Sequence, residues 1–193
     1  LENLQKGGKI LDTERLKSFF QENVVLDNNI LIDFIEIKVA LNKDYLKLLN
    51  KLFRKIIIPT PIIEEELCQK DIINLDYKEG ILSNEDGYNI FINLGNDPKA
   101  KQLSEYDRYV IAIAYESQHL VASNDKPVRE ICNKYNIKVT GTLGIVSSLY
   151  ENNIITLKEM KKIFDFLFSD SSSCFLSKNL KQSLYIHYEF EKN

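Results

Sequence analysis

Cysteine and histidine are scarce in this sequence. The three cysteines, Cys68, Cys132 and Cys174, lie far apart with no C-x-x-C pair, and the two histidines are His119 and His187. An odd number of scattered cysteines argues against a disulfide framework and a thiolate zinc site, and two separated histidines argue against a histidine-based metal site. We therefore expect a protein of the reducing cytoplasm.

Glycine, proline, long apolar runs and excess positive charge are also lacking. Seven glycines and four prolines exclude a collagen-like or disordered chain. No apolar run approaches the roughly 20 residues that cross a bilayer, and no signal-peptide pattern opens the chain, so we expect neither membrane insertion nor secretion. The net charge of −3 argues against tight non-specific binding of nucleic acid. It still permits an enzyme that holds nucleic acid through metal ions and a local basic patch.

Short apolar runs alternate with helix-period segments over the 193 residues, which indicates one α/β domain with a parallel sheet. Strands are predicted at 24–26, 56–58, 120–122 and 137–139. Helices are predicted at 12–21, 29–40, 43–53, 61–69, 104–117, 126–135, 141–152, 157–168 and 177–188.

The predicted domain organisation has three parts. Residues 1–22 form a leading extension, 23–156 form the main domain, and 157–193 form a C-terminal helical extension packed on the same domain. Residues 70–102, rich in Asn, Asp and Gly, are interpreted as an insertion with partial order and one candidate strand at 88–94.

Four acids follow strands or begin helices. Asp27 follows the first strand directly, and Asp125 follows the third after two residues. Glu66 lies on the helix after the second strand, and Asp107 lies in the first turn of a later helix. Ligands of open parallel sheets bind beyond the carboxyl ends of the strands, so we expect these four acids to share one crevice.

Several carboxylates in one crevice favour a bound cation. Two unit charges about 4 Å apart repel by roughly 4 kcal/mol at an effective dielectric constant of about 20. A divalent cation removes this repulsion, and oxygen-only ligands suit Mg²⁺ or Mn²⁺. Such ions bind a phosphodiester and generate hydroxide from water without histidine or cysteine.

Each acid also has an ordinary structural interpretation. Asp27 and Asp125 are suited to capping the helices that follow them, and Ser104 with Asp107 matches a capping box. Glu66 belongs to a run of three glutamates of the kind that usually faces solvent. The residues alone leave both interpretations open.

Five segments, in this order, resemble the motifs of the PIN-domain family over about residues 23–188. They are VVLDNNILIDF at 24–34, IPTPIIEEEL at 58–67, LSEYDRYVIAIA at 103–114, LVASND at 120–125 and VTGTLGI at 139–145. The last segment, with the later NII at 153–155 and CFLS at 174–177, is similar to a branch of predicted nucleic-acid-binding proteins within that family.

The resemblance implies a Rossmann-like three-layer α/β/α fold with a central parallel sheet and extra C-terminal helices. It also implies an endoribonuclease that uses Mg or Mn to cut single-stranded RNA, often as the toxin of a toxin–antitoxin pair with an antitoxin protein as partner. The residues carried over are the metal-binding acids Asp27, Glu66, Asp107 and Asp125 and the supporting polar residues Asn29 and Ser123.

Three features depart from the family pattern. Asn28 stands where a Thr or Ser usually follows the first Asp. The run Glu64, Glu65 and Glu66 leaves the register of the second acid open, although the position before Leu67 favours Glu66. The insertion at 70–102 is long enough to cover or reshape the crevice.

Other polar residues near the acids are weaker candidates. Lys126, Arg129 and Arg108 are placed to contact phosphate, with a surface or ion-pair role as the alternative. Asp33 is expected to be a solvated helix residue.

Two further segments have competing interpretations. Gly141 and Thr142 begin a helix whose N–H groups suit a phosphate, but a tight strand-to-helix turn is the favoured interpretation. The tail carries more apolar residues than one small helix needs to bury, which favours packing on the same domain and leaves a partner helix or homodimer as the alternative. These residues are Ile163, Phe164, Phe166, Leu167 and Phe168.

Two other functions compete with the nuclease. A non-catalytic PIN-fold module would use the same fold to bind protein or nucleic acid, and the acidic net charge favours it slightly. A phosphoaspartate phosphatase with Asp27 as nucleophile would need a second Asp two residues later, where Asn29 stands. A receiver would need an acid pair before its phosphoacceptor and a later-strand lysine, and neither is recognisable.

Overall fold

Five parallel strands form the centre of the fold in the computed structural model, which describes residues 19–65, 72–174 and 176–190. The sheet order is β3-β2-β1-β4-β5, and all four strand pairings are parallel. The strands are β1 Asn23–Leu26, β2 Lys55–Pro59, β3 Lys78–Gly80, β4 Leu120–Ala122 and β5 Val139–Thr140.

Helices connect and flank these strands. They are α1 Asn28–Leu41, α2 Leu49–Leu52, α3 Thr60–Glu65, α4 Glu85–Asn96, α5 Glu105–Ser117, α6 Lys126–Lys134, α7 Thr142–Glu151, α8 Leu157–Leu167 and α9 Lys178–His187. Two 3₁₀ turns, Leu46–Leu48 and Pro98–Ala100, complete the described elements. None of the helices in these described ranges is both long and apolar enough to cross a bilayer.

Strand β1 is the central strand and is apolar on both faces. Val24, Val25 and Leu26 are fully buried, as expected for a parallel strand covered by helices on both sides. Val25 is in register with Ile57 of β2 and with Val121 of β4. The prediction of a three-layer α/β fold around a parallel sheet is confirmed.

Two groups of helices cover the sheet. Helix α5 packs on β1, β2 and β4, and α4 packs on α5. In the other group, α8 packs against α1 and α7, and it buries Ile163, Phe164 and Leu167. The tail's apolar residues thus lie against the domain itself.

The prediction of a strand at 88–94 is wrong, because this segment belongs to helix α4. Its alternation of Tyr88, Ile90, Ile92 and Leu94 imitates a strand, but only Ile90 and Leu94 are buried, one helical turn apart. The side chain of Asn84 accepts a hydrogen bond from the N–H of Gly87 and begins the helix. The described part of the predicted insertion also contributes the edge strand β3, which was not predicted.

Smaller differences concern the ends of elements. The helix predicted at 43–53 is a 3₁₀ turn followed by the short α2, and the strand predicted at 137–139 begins at Val139. Most of the predicted leading helix at 12–21 lies outside the described residues, as does the end of the helix predicted at 61–69. Nothing in a short apolar run fixes its ends, so such boundaries depend on the neighbouring strands.

Gly80, at the end of β3, lies where a side chain has no room. A Cβ there would lie 2.6 Å from Cγ2 of Ile57 and 3.2 Å from Cδ1 of Ile113. Both are buried, and the Ile57 methyl sits on a stiff β-branched carbon. We expect Gly80→Ala to lower the free energy of unfolding by about 1–3 kcal/mol, measured by urea denaturation.

Gly95→Ala is the matched control. A Cβ at Gly95 would meet only the guanidinium end of Arg108, which can move, and alanine is favoured inside a helix. This variant should be neutral or more stable than wild type. Equal destabilisation by both substitutions would contradict the packing explanation for Gly80.

Candidate active site

Asp27 is the acid at the end of the central strand, and it is only 4% exposed. Its Oδ2 accepts a hydrogen bond from the Ser123 hydroxyl at 2.6 Å and another from the Asn29 side-chain amide. The same amide reaches the Ser123 hydroxyl at 3.2 Å. Asp27 begins α1 but makes no side-chain capping bond, so its carboxylate is held by these neighbours rather than by the helix.

The surroundings of Asp27 disfavour its charge. Burial, the largest cause, together with the negative charge of Asp107, raises the pKa of Asp27 from 3.8 to about 6. Hydrogen bonds from Ser123 and Asn29 act in the opposite direction and limit the rise. These neutral donors compensate only part of the cost of burying a carboxylate.

Asp107 lies close enough to both Asp27 and Asp125 for its charge to act on each of their carboxyl groups. Burial, and after it the charge of Asp107, raises the pKa of Asp125, so Asp107 acts on both other acids. Asp125 begins α6 without a side-chain capping bond, and its N–H donates to the Ser123 hydroxyl at 3.1 Å.

Asp107 also has the structural role that the sequence allowed. Its Oδ2 accepts from the Ser104 N–H at 2.7 Å, and the Ser104 hydroxyl accepts from the Asp107 N–H at 3.1 Å. This reciprocal pair caps α5 and fixes the Asp107 side chain at the start of that helix.

The donor set fits a hard divalent cation in its chemistry, since Asp27, Asp107 and Asp125 offer only oxygen. In the described part of the chain, no group of three or more His, Cys, Asp or Glu side chains is close enough to hold a metal ion. Glu66, the fourth predicted acid, lies outside the described residues. The side-chain oxygen of Asn28, next to Asp27, is buried without a hydrogen-bond donor from the described residues, as suits an oxygen that contacts a cation or water.

The three basic candidates differ in their contacts. Lys126 is highly exposed and pairs weakly with Glu130 at 3.6 Å. Arg129 donates to the Ser123 backbone carbonyl at 3.0 Å and so supports the segment between β4 and α6. Arg108 lies over the ring of Phe91, 4.9 Å from its centroid.

The expectation that Asp33 is solvated is wrong, because it is only 3% exposed. Its Oδ2 accepts hydrogen bonds from the Asn124 side-chain amide at 2.7 Å and from the Thr142 hydroxyl. One signal was present in the sequence. Asp33 occupies the same helical face as the buried Ile30, Phe34 and Ile37, which is not where a solvated acid belongs.

At the helix start formed by Gly141 and Thr142, the Asn124 side chain takes the place that a phosphate would need at the Thr142 N–H. The Thr142 N–H donates to Oδ1 of Asn124 at 3.0 Å. A Cβ on Gly141 would lie 2.5 Å from that same oxygen, so the glycine leaves room for the Asn124 side chain. Gly141 and Thr142 therefore form a tight strand-to-helix turn around the Asn124 side chain, as the favoured interpretation expected.

Comparison with known proteins supports the family that the sequence motifs predict. A family profile described as PIN domain matches residues 23–187, which includes every described strand and all four predicted acids. No curated protein matches the chain.

The buried charge of Asp27 should make stability depend on pH. A carboxyl pKa raised on folding means that the folded protein binds the proton more tightly, so stability falls as the pH rises from about 4 to about 6 and stays lower above that. Without metal, Asp27→Asn should raise the free energy of unfolding at pH 8 by up to roughly 3 kcal/mol, the equivalent of the rise from 3.8 to about 6.

The measurement is urea denaturation at pH 8 and at pH 4, with chelator present. At pH 4 the gain should disappear, because Asp27 is then protonated in the folded protein. Asp76→Asn, at an exposed position, controls for loss of one surface charge and should show no such pH dependence. If Asp27→Asn were less stable than wild type at pH 8, the conclusion that the buried charge of Asp27 lowers stability would be refuted.

Proposed function

The chain belongs to the PIN-domain family, whose members are generally nucleases that use divalent metal ions, and on this premise we propose that it is a metal-dependent endoribonuclease. The observation that carries the proposal is electrostatic. Burial first, and with it the charge of Asp107, raises the pKa of both Asp27 and Asp125 beyond the carboxyl ends of β1 and β4. Carboxyl groups whose pKa is raised by burial and by a neighbouring negative charge are a frequent sign of a functional site.

Asp27, Asp107 and Asp125 would have to draw closer together to hold Mg²⁺ or Mn²⁺, because no three acids of the described residues are close enough to do so. Glu66 is the fourth acid from the family motif. When bound, such an ion would supply Lewis-acid polarisation of a phosphodiester and would make water a better nucleophile near neutral pH. The chain's own residues do the positioning. Ser123 and Asn29 both bond Oδ2 of Asp27, which leaves Oδ1 without a side-chain hydrogen bond from the described residues.

The other two acids are held by helix starts. The Ser104 N–H fixes one oxygen of Asp107. The bond from the Asp125 N–H to Ser123 ties the start of α6 to the hydroxyl that also holds Asp27. Ser123 thus links the carboxylate of Asp27 to the backbone of Asp125, and this is the type of rigid support that a catalytic constellation needs.

Single-stranded RNA is the proposed substrate. The exposed Lys126, adjacent to Asp125, is suited to hold a phosphate, whereas Arg129 is engaged with the backbone. The proposed setting is a cytoplasmic toxin–antitoxin or defence system with an antitoxin protein as partner, which is supported by the family resemblance alone.

The test is cleavage of end-labelled single-stranded RNA with Mg²⁺, with Mn²⁺ and with chelator. The double variant Asp27→Asn, Asp125→Asn should lose activity on the order of 100-fold or more, because both substitutions remove charge and leave an oxygen for the local hydrogen bonds. Asp107 is left unchanged because its capping of α5 would mix a folding effect with a catalytic one.

The matched control is Asp76→Asn, Asp86→Asn, which removes two exposed carboxylates that are not among the proposed metal-binding acids. It should cleave like wild type. Cleavage that survives in the Asp27, Asp125 variant or in chelator would refute the proposal. A folded wild-type protein that binds RNA without cutting it under either metal would instead support the non-catalytic module.

A further inference from the structure

The side-chain amide, the side-chain oxygen and the backbone N–H of Asn124 all have hydrogen-bond partners in α1 or at the start of α7. Its side-chain amide donates to Asp33 at 2.7 Å and to the Thr142 hydroxyl at 2.9 Å, and its Oδ1 accepts from the Thr142 N–H at 3.0 Å. Its backbone N–H donates to Oδ1 of Asn29 at 3.0 Å. One residue therefore links β4, α1 and the start of α7.

A continuous path of bonds leads from this residue to the candidate site. Asn29, which accepts from Asn124, donates through its amide to Asp27 and to the Ser123 hydroxyl. Since Asn29 offers only one side-chain oxygen, occupation of that oxygen by the Asn124 N–H forces its NH₂ group toward Asp27. The orientation of Asn29 thus depends on where the Asn124 backbone lies.

Asp33 in turn decides the orientation of the Asn124 amide. An asparagine side chain can be turned around at little cost unless its partners distinguish oxygen from nitrogen. Ionised Asp33 only accepts and the Thr142 N–H only donates, so the two together allow one orientation. The Thr142 hydroxyl also donates to Asp33, which closes a ring of three bonds.

The burial of the Asp33 carboxylate lowers the stability of the fold, which argues that Asp33 does more than fill space in the core. Its described hydrogen-bond donors, Asn124, Thr142 and the Cys174 thiol, are neutral, and no salt bridge to it occurs in the described part of the chain. A buried carboxylate without a cation lowers stability relative to an apolar residue of similar size. Such a residue is expected where a structure gives up stability for placement of a functional group.

We propose that Asp33 and Asn124 are positioning residues of the Asp27 site: Asp33, with Thr142, fixes Asn124, which fixes Asn29 and through it the carboxylate of Asp27. This inference rests on the proposed nuclease function for its catalytic consequence. The structural part of the proposal, that Asp33 controls the orientation of Asn29, does not depend on whether the protein is a nuclease. Neither residue belongs to the set of acids that the family motif supplies.

The test compares Asp33→Ala with Asp33→Asn. Alanine removes the acceptor, whereas asparagine can place an oxygen where Oδ2 lies and keep both bonds. Asp33→Ala should lower kcat on the order of 100-fold with KM for RNA within about twofold, as expected for a misplaced catalytic group. Asp33→Asn should recover most of the activity. Equal loss in both variants would show that the charge of Asp33, not its bonding, is what matters, and would overturn the proposal.

Asn124→Ala supplies a second check. If Asp33 acts through Asn124, the double variant Asp33→Ala, Asn124→Ala should be no slower than Asn124→Ala alone. Multiplied losses would mean that the two residues act independently, against the proposal.

A readout without RNA separates this inference from the proposed function. Amide hydrogen exchange should accelerate at least about tenfold at Asn124 and Thr142 in Asp33→Ala, and the side-chain NH₂ resonances of Asn29 should shift.

The control is Glu116→Ala. The Glu116 carboxylate accepts from the N–H groups of Ser83 and Asn84 at 3.1 and 3.3 Å, and it lies about 13 Å along α5 from Asp107.

The two variants should affect separate groups of amides. Glu116→Ala should free Ser83 and Asn84 and leave Asn124, Thr142 and Asn29 unchanged, with activity as in wild type. Unchanged Asn29 resonances in Asp33→Ala would overturn the coupling, whether or not the protein cleaves RNA. An inactive wild type in which Asp33→Ala does shift Asn29 would refute the nuclease and leave the coupling established.

Discussion

The burial of one carboxylate at the end of the central strand constrains much of this structure. Strand β1 is apolar on both faces, so Asp27, the next residue, is drawn into the interior with it. A carboxylate in that position needs hydrogen-bond donors. The nearest neighbour in the sheet is β4, and the Ser123 that follows β4 supplies one of them.

The segment between β4 and α6 therefore has to satisfy several demands at once. Ser123 bonds Asp27, Asn124 bonds α1 and the start of α7, and Asp125 begins α6. Arg129 holds the segment from the other side through the Ser123 carbonyl. Because Gly141 must leave space for Asn124, even the first residue before α7 is determined by this arrangement. The geometry around Asp27 and the packing of α1 and α7 thus depend on the same few bonds.

Much of the fold was predictable because its signals are local. Short β-branched runs such as Val24 to Leu26 and Ile56 to Ile58 are typical of buried parallel strands, and the capping pair of Ser104 and Asp107 marks a helix start within four residues. Helix α4 was missed because its alternating apolar residues suit a strand equally well. Only packing on α5 and the Asn84 cap select the helix.

The sequence by itself determined the parallel α/β class, the family and the placement of acids after strands, since these follow from short-range pattern and motif order. Only the tertiary structure decided the burial, the charged neighbours and the hydrogen-bond partners of those acids. Burial and the charge of Asp107 raise the pKa of Asp27, and the ring of Asp33, Asn124 and Thr142 joins residues more than 90 positions apart in the chain. Electrostatic and hydrogen-bond energies depend on distance in space and on exclusion of water, and a linear pattern encodes neither.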